Sequence, residues 1–219
     1  MQPDTSSHLT ASRPPLRGLR WKDVVNTRTL GEINATHVIP NKYEWRIFMI
    51  MRTETNKDFE EVYKLNYLAF GNREDESKLI ERIRLSEEFI PELSIVAEME
   101  NEIVGHILLS KATVEDQDKQ YTVIVLAPIA VRPNYQKLGV GSRLIEEGIR
   151  RCRSLGYSII LLIGHPTYYP RLGFQPARQF GLELKQFEVP DEVFMVYEVE
   201  EGKLREIQGE LKYPNTFFG

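Results

Sequence analysis

The chain has 219 residues, of which 42% are apolar, 27% charged and 10% aromatic, a balance that suits one globular domain with an appendage or two small domains. With 28 basic against 32 acidic residues, the formal charge is −4 and the pI is near 5.7, which argues against nucleic acid or an anionic membrane as partner. A single cysteine, Cys152, can close no intramolecular disulfide and build no multi-cysteine zinc site, so the cytoplasm is the expected compartment.

Residues 1–48 carry 7 basic and 4 acidic side chains, whereas residues 49–219 carry a net −7. The stretch Gln2–Pro15 is rich in Pro, Ser and Thr and has no periodicity. Residues 1–48 are therefore expected to be an irregular, disordered extension, with the domain edge near Met49. Trp21, Tyr43, Trp45 and Phe48 leave a docked arm as the other reading. The extension lacks the basic start, apolar block and small-residue cleavage site of a secretory signal. The longest apolar runs, Val123–Ala127 and Ile159–Ile163, fall far short of the roughly 20 residues a membrane span needs. They read as buried strands.

Regular patterning starts with alternation over Arg46–Thr53, a strand, followed by a cap at Asn56–Asp58 and a helix over Phe59–Ala69. A second helix carries Ser77, Leu79, Ile80, Ile83 and Leu85 and must stop before Pro91. Leu93–Met99 and Ile103–Thr113, joined by the turn Glu100–Glu102, predict an antiparallel hairpin, and Tyr121–Val131 a further strand. The spacing of Leu144, Ile145, Ile149, Cys152 and Leu155 predicts a helix over Ser142–Leu155 stopped by Gly156. A strand at Ser158–Ile163, a short helix at Tyr168–Leu172, and strands at Leu182–Leu184 and Val193–Val199 complete the pattern. This order predicts an α/β (α+β) domain with a mixed central sheet flanked by helices.

The most informative stretch is Ile129–Ser142, a strand leading through a glycine-containing loop into a helix. The first-turn N–H groups of such a helix have no intrahelical partners, and its dipole places positive charge at the loop. Gly139 and Gly141 permit close approach, so the amides of Leu138, Gly139, Val140, Gly141 and Ser142 can wrap a phosphate, with Lys137 and Arg143 adding charge. Alone, a Gly-x-Gly turn is equally well explained by chain sterics. No Walker loop and no three-glycine dinucleotide fingerprint is present.

Gln136-Lys-Leu-Gly-Val-Gly141 resembles the Q/R-x-x-G-x-G/A signature of the GNAT superfamily of acetyl-CoA-dependent N-acetyltransferases. Gly164-His-Pro-Thr-Tyr-Tyr-Pro-Arg-Leu-Gly-Phe174 is similar to that superfamily's segment ending Y-x-x-x-G-F. The form G-H-P-x-Y-Y-x-R-x-G-F points to a bacterial and archaeal branch of predicted acetyltransferases. The resemblance covers residues 49–219, with the core motifs in 120–175. It implies a GNAT acyl-CoA N-acyltransferase fold, with a splayed strand pair in its mixed sheet. It implies acetyl-CoA as co-substrate and transfer of its acetyl group to a primary amine, small-molecule or peptide, by direct attack in a ternary complex. Nucleic acid, membrane and metal are not expected, and a homodimer is allowed.

The resemblance further implies that Ile129, Ala130 and Val131 meet pantetheine through main-chain atoms, that Gln136 and Lys137 join the phosphate-binding loop, and that Tyr169 is the general acid. Tyr168 is the competitor, since adjacent tyrosines point in different directions. Pro128 predicts broken pairing and a bulge. The general base is open, because Tyr121–Val131 contains no carboxylate. Glu74 and Glu76 between the first two helices, and His106 on the third strand, are the acceptor-side candidates. Each also has a plain reading, as a solvated helix start or a packed strand histidine. The missing strand carboxylate keeps a second function in view, a weak or inactive GNAT-fold acyl-CoA-binding sensor module. A nucleotide or small-molecule binder of another fold is the third.

Overall fold

The computed structural model describes residues 49–218; the expected extension, residues 1–48, lies outside them. Strand β1 (Ile50–Thr53) is followed by helix α1 (Phe59–Ala69), whose entry is a capping box. The Asp58 carboxylate accepts from the Thr55 amide at 2.7 Å and from both terminal nitrogens of Arg52 at 2.7 and 2.8 Å. A cap and a charged clasp thus share one carboxylate. Helix α2 (Asp75–Arg84) lies beside α1, where the Ser77 hydroxyl donates to the Tyr63 carbonyl at 2.9 Å.

Strands β2 (Ser94–Met99) and β3 (Glu102–Asp116) form the expected hairpin, with Glu100 and Asn101 at positive φ in the turn. Strand β4 (Lys119–Val131) returns antiparallel and feeds helix α3 (Val140–Ser154). Strand β5 (Ile159–Ile163) pairs parallel with β4, and a single 3-10 turn, Tyr169–Leu172, stands where a short helix was expected. The remaining strands are β6 (Gln175–Pro176), β7 (Leu182–Glu183), β8 (Phe194–Glu198) and β9 (Gly209–Lys212). Together they make one mixed nine-stranded sheet of order β1-β2-β3-β4-β5-β8-β6, with β9 pairing β3 and β7.

Helices cover both faces of the sheet. On one, Val62 and Leu65 of α1 and Ile80 and Ile83 of α2 pack on Val96, Leu108 and Val125. On the other, Leu144, Ile145, Ile149 and Cys152 of α3 pack on Ile107, Leu109, Ile124 and Ile160. Each fully buried aliphatic side chain contributes about 1.5–3 kcal/mol relative to exposure. Burial pushes the Cys152 thiol up to about 12, so this cysteine is core. Helix α3 is pinned at its far end, where Arg151 donates to Thr53 Oγ1 and to the Glu92 carbonyl, both at 2.7 Å. Glu147, gripped first by Arg150 and also by Arg151, is pushed down to about 2.

Candidate active site

The parallel pairing of β4 with β5 is confined to Ile124 with Ile160 and Val125 with Leu161. Strand β4 then runs six residues further, to Val131, while β5 continues against β8 up to Ile163 and Phe194. The two strands therefore part after Val125. On the opposite edge, the β3–β4 register steps from Leu109 with Leu126 to Ile107 with Ile129, a one-residue bulge. Pro128, joined to Ala127 by a cis peptide, sits in it. Beyond the bulge Ala130 is buried against the α1 side of the sheet, while Ile129 and Val131 are half-buried against the α3 side.

The loop from β4 to α3 closes on itself. The side-chain amide of Gln136 donates to the Val131 carbonyl at 3.1 Å, and Lys137 and Gly139 take the left-handed conformation at φ 62° and 91°. Gly139 is the N-cap, a position at which a Cβ would be strained. The first intrahelical bond runs from the Arg143 amide to the Gly139 carbonyl. The amides of Val140, Gly141 and Ser142 precede it and point out of the helix end. The helix starts two residues earlier than its apolar spacing predicts, because Gly141 lies in the first turn, where sequence punctuation reads it as loop. A methyl on Gly141 would come within 2.9 Å of the Tyr168 hydroxyl, so its bare Cα is a built feature.

The two tyrosines take different environments. Tyr169 is 8% exposed, its ring edge-on to Phe174 at a centroid distance of 5.5 Å. A Cβ on Gly164 would lie 2.2 Å from Tyr169 Cε2. Burial holds the Tyr169 hydroxyl well above the usual phenol range, so it carries its proton at neutral pH. Tyr168 is half-buried, with its hydroxyl 3.4 Å from Ser142 Oγ, on the first turn of α3.

His106 is fully buried opposite Ala130 of β4. Its Nε2 lies 3.1 Å from Ser94 Oγ, which donates to Glu54 Oε2 at 2.6 Å, so Nε2 carries the hydrogen. Nδ1 faces the side-chain amide of Asn66 at 3.5 Å. Arg84 clasps Glu54 and lies over the Phe59 ring. Desolvation first, then the charge of Arg84, pushes His106 down to about 3. The imidazole belongs to an interior network and presents no surface to an acceptor, a physical reason against its expected substrate contact. The apolar residues on both sides of it, Val104, Ile107, Leu108 and Leu109, mark a strand buried on both faces and could have signalled this; partners as distant in sequence as Glu54 and Asn66 could not be read.

Glu74 is exposed and paired with Lys78 at 2.6 Å. Glu76 is 6% exposed; Oε1 accepts from Arg73 at 3.1 Å, Oε2 is buried without a hydrogen-bond partner, and desolvation raises its carboxyl. The two carboxylates therefore do not act as one cluster. Among the described residues, no group of three or more His, Cys, Asp or Glu could hold a metal ion, and no helix is long and apolar enough to cross a membrane.

A parted parallel strand pair beside an open helix N-terminus, on a mixed sheet covered on both faces, is the architecture of an acyltransferase. Residues 51–177 match the family model described as an acetyltransferase (GNAT) domain, so the chain belongs to the GNAT acetyltransferase family. It is 40% identical over 120 residues to the uncharacterized N-acetyltransferase YjhQ of Escherichia coli K12, a match spanning 55% of this chain and 66% of that relative. It is 26% identical over 170 residues to the uncharacterized N-acetyltransferase YhbS of the same strain, spanning 77% and 98%. The crystal structure of YhbS from Escherichia coli in complex with CoA superposes with a TM-score of 0.70 at 23% identity, covering 78% of this chain and 92% of that one. A GNAT family acetyltransferase from Brucella melitensis in complex with acetyl-CoA superposes at 0.62 and 25% identity, covering 77% and 97%.

Proposed function

We propose that the protein transfers the acetyl group of acetyl-CoA to a primary amine of a small-molecule or peptide acceptor, by direct attack within a ternary complex. The observation that carries this reading is the meeting of two features at one end of β4: main chain freed from β5, and outward amides at the start of α3. The amides of Val140, Gly141 and Ser142, with Leu138 and Gly139 behind them and Lys137 beside them, suit a pyrophosphate. Ile129, Ala130 and Val131 offer backbone groups to an extended pantetheine, and Gln136 buttresses that edge through the Val131 carbonyl.

Acetyl-CoA supplies the activated acyl group. A neutral amine nitrogen attacks the thioester carbonyl carbon, a C–N bond forms, the C–S bond breaks, and the proton shed by the nitrogen passes to solvent, from which the acid that protonates sulfur is restored. A backbone N–H of β4 stabilises the developing oxyanion. Tyr169 is our assignment for the group that protonates the departing sulfur, because the Y-x-x-x-G-F motif selects it; burial raises the phenols of both Tyr169 and Tyr168, so both carry a proton at neutral pH and the shift does not choose between them. Tyr168 is the alternative, favoured only by its greater exposure. On the acceptor side Glu74 is the exposed carboxylate and can meet an amine directly, whereas Glu76 is 6% exposed and its unpartnered Oε2 is buried. We further assign the chain to the G-H-P-x-Y-Y-x-R-x-G-F branch, take residues 49–219 as the domain, and place it in the cytoplasm, where acetyl-CoA is made available.

The test is thiol release from acetyl-CoA across a panel of amines, with Tyr169→Phe and Tyr168→Phe. Tyr169→Phe should lower kcat by about 10²–10⁴ while sparing acetyl-CoA binding. Binding without release across a broad panel would favour the sensor module.

A further inference from the structure

Tyr168 touches the site at two ends. Its hydroxyl lies 3.4 Å from Ser142 Oγ and fills the notch left by the bare Cα of Gly141 on the first turn of α3. Its ring meets the Tyr169 ring edge-on, at a centroid distance of 5.1 Å and 79° between planes, and Tyr169 continues to Phe174 at 5.5 Å and 74°. The Tyr168 amide donates to the His165 carbonyl at 3.0 Å, which fixes the turn that carries both tyrosines. An aromatic ladder therefore runs from the helix end to the buried phenol.

Two properties make this ladder a lever. The Ser142 and Tyr168 hydroxyls have one proton each, and their mutual bond uses one of them. The other is free for an anion seated on the α3 amides. The aromatic rings, in turn, are close-packed, so a displacement at one end has few ways to dissipate before the next ring.

We propose that Tyr168 is a positioning residue that couples occupancy of the α3 first turn, sensed through Ser142, to the placement of the Tyr169 ring. This rests on the reading above, in which the pyrophosphate of CoA sits on that turn and Tyr169 is the acid. A cofactor seated on the amides would draw on the free hydroxyl proton and set the Tyr168 ring, and with it the Tyr169 hydroxyl.

The experiment uses the full chain labelled with fluorotyrosine and observed by fluorine NMR, with Tyr169→Phe identifying the Tyr169 resonance. The probe is ADP carrying a 3′-phosphate, the nucleotide half of CoA, which has the pyrophosphate but no pantetheine and cannot reach Tyr169 itself. In the wild type, the Tyr169 resonance should move on saturation with this probe. In Tyr168→Leu the probe should still bind, weakened by no more than about tenfold, the range of one lost hydrogen bond, and the Tyr169 resonance should stay still. Tyr168→Phe and Ser142→Ala keep the ring but break the hydroxyl pair, and each should lose most of the movement; they decide the matter if the leucine variant does not fold. A resonance that moves equally in these variants, or one that is still in the wild type while calorimetry records binding, overturns the coupling alone. No binding of either the probe or CoA by the wild type overturns the cofactor reading together with it.

Discussion

Replacing Gly164 with alanine tests where the Tyr169 ring lies. The new Cβ would sit 2.2 Å from Tyr169 Cε2, 2.6 Å from Cδ2 and 2.8 Å from Leu162 Cδ1, where ordinary contact begins at 3.4 Å. The backbone there is not at positive φ, so the cost is one of packing only. The ring has no easy retreat, because Phe174 and Tyr168 flank it. Forcing a methyl into a packed site costs about 1–3 kcal/mol. At about 2–4 °C per kcal/mol for a domain of this size, the melting temperature should fall by about 2–12 °C. Displacing the phenol by an ångström should lower kcat by about 10²-fold, a larger effect than on CoA affinity, because no group on the α3 amides is itself altered. Thermal unfolding followed by circular dichroism, calorimetry with CoA and thiol release provide the three readouts. With Tyr169→Leu in the background, adding Gly164→Ala should cost less than it does in the wild type, since the two contacts with the ring are gone and only the end of the Leu162 side chain must give way. A Gly164→Ala protein with unchanged melting temperature and unchanged turnover would refute this placement of the ring.

Other consequences are more local. Gly139→Ala places an L-residue at φ 91°, which should cost about 1–2 kcal/mol in urea unfolding and weaken CoA binding in calorimetry. His106 stays neutral in the fold down to about 3, below its ordinary 6.5, so the unfolded chain gains a proton first as the pH drops. Stability should fall between pH 6.5 and 3 by up to about 1.4 kcal/mol per pH unit from this group, and His106→Gln should flatten that limb. Asp58, held well below the usual carboxylate range chiefly by its hydrogen bonds from Arg52, stabilises the fold above its unfolded pKa. That contribution is lost at lower pH still, as the pH falls toward its folded pKa, and Asp58→Asn should remove it at a cost of about 1–2 kcal/mol at neutral pH. Deleting residues 1–48 should leave acetyl-CoA binding intact by calorimetry.

Much of the fold was legible because its elements are long and strongly patterned. Helix α1 has its expected bounds, and α2, β2, β3, β4, α3 and β5 lie within a few residues of theirs. The β4 bulge followed from Pro128 having no amide hydrogen. By contrast, β6 has two residues and β9 four, too short for a period to register, whereas β7 (Leu182–Glu183) falls within the expected strand Leu182–Leu184. Strand β9 joins the sheet by pairing with Thr113–Glu115, about a hundred positions away. The site divides in the same way. The loop glycines carry their own local signal. The contact of Tyr168 with Ser142 and the network around His106 depend on residues from separate elements, and only the folded chain brings them together.

Acetyl transfer itself is tested most directly by incubating the full chain with acetyl-CoA and a broad amine panel, following free thiol and acetylated amine together. The expected result is stoichiometric appearance of both with at least one amine, strongly slowed in Tyr169→Phe but not by deletion of residues 1–48. CoA binding with no thiol release for any amine, or release that is indifferent to Tyr169, would contradict it.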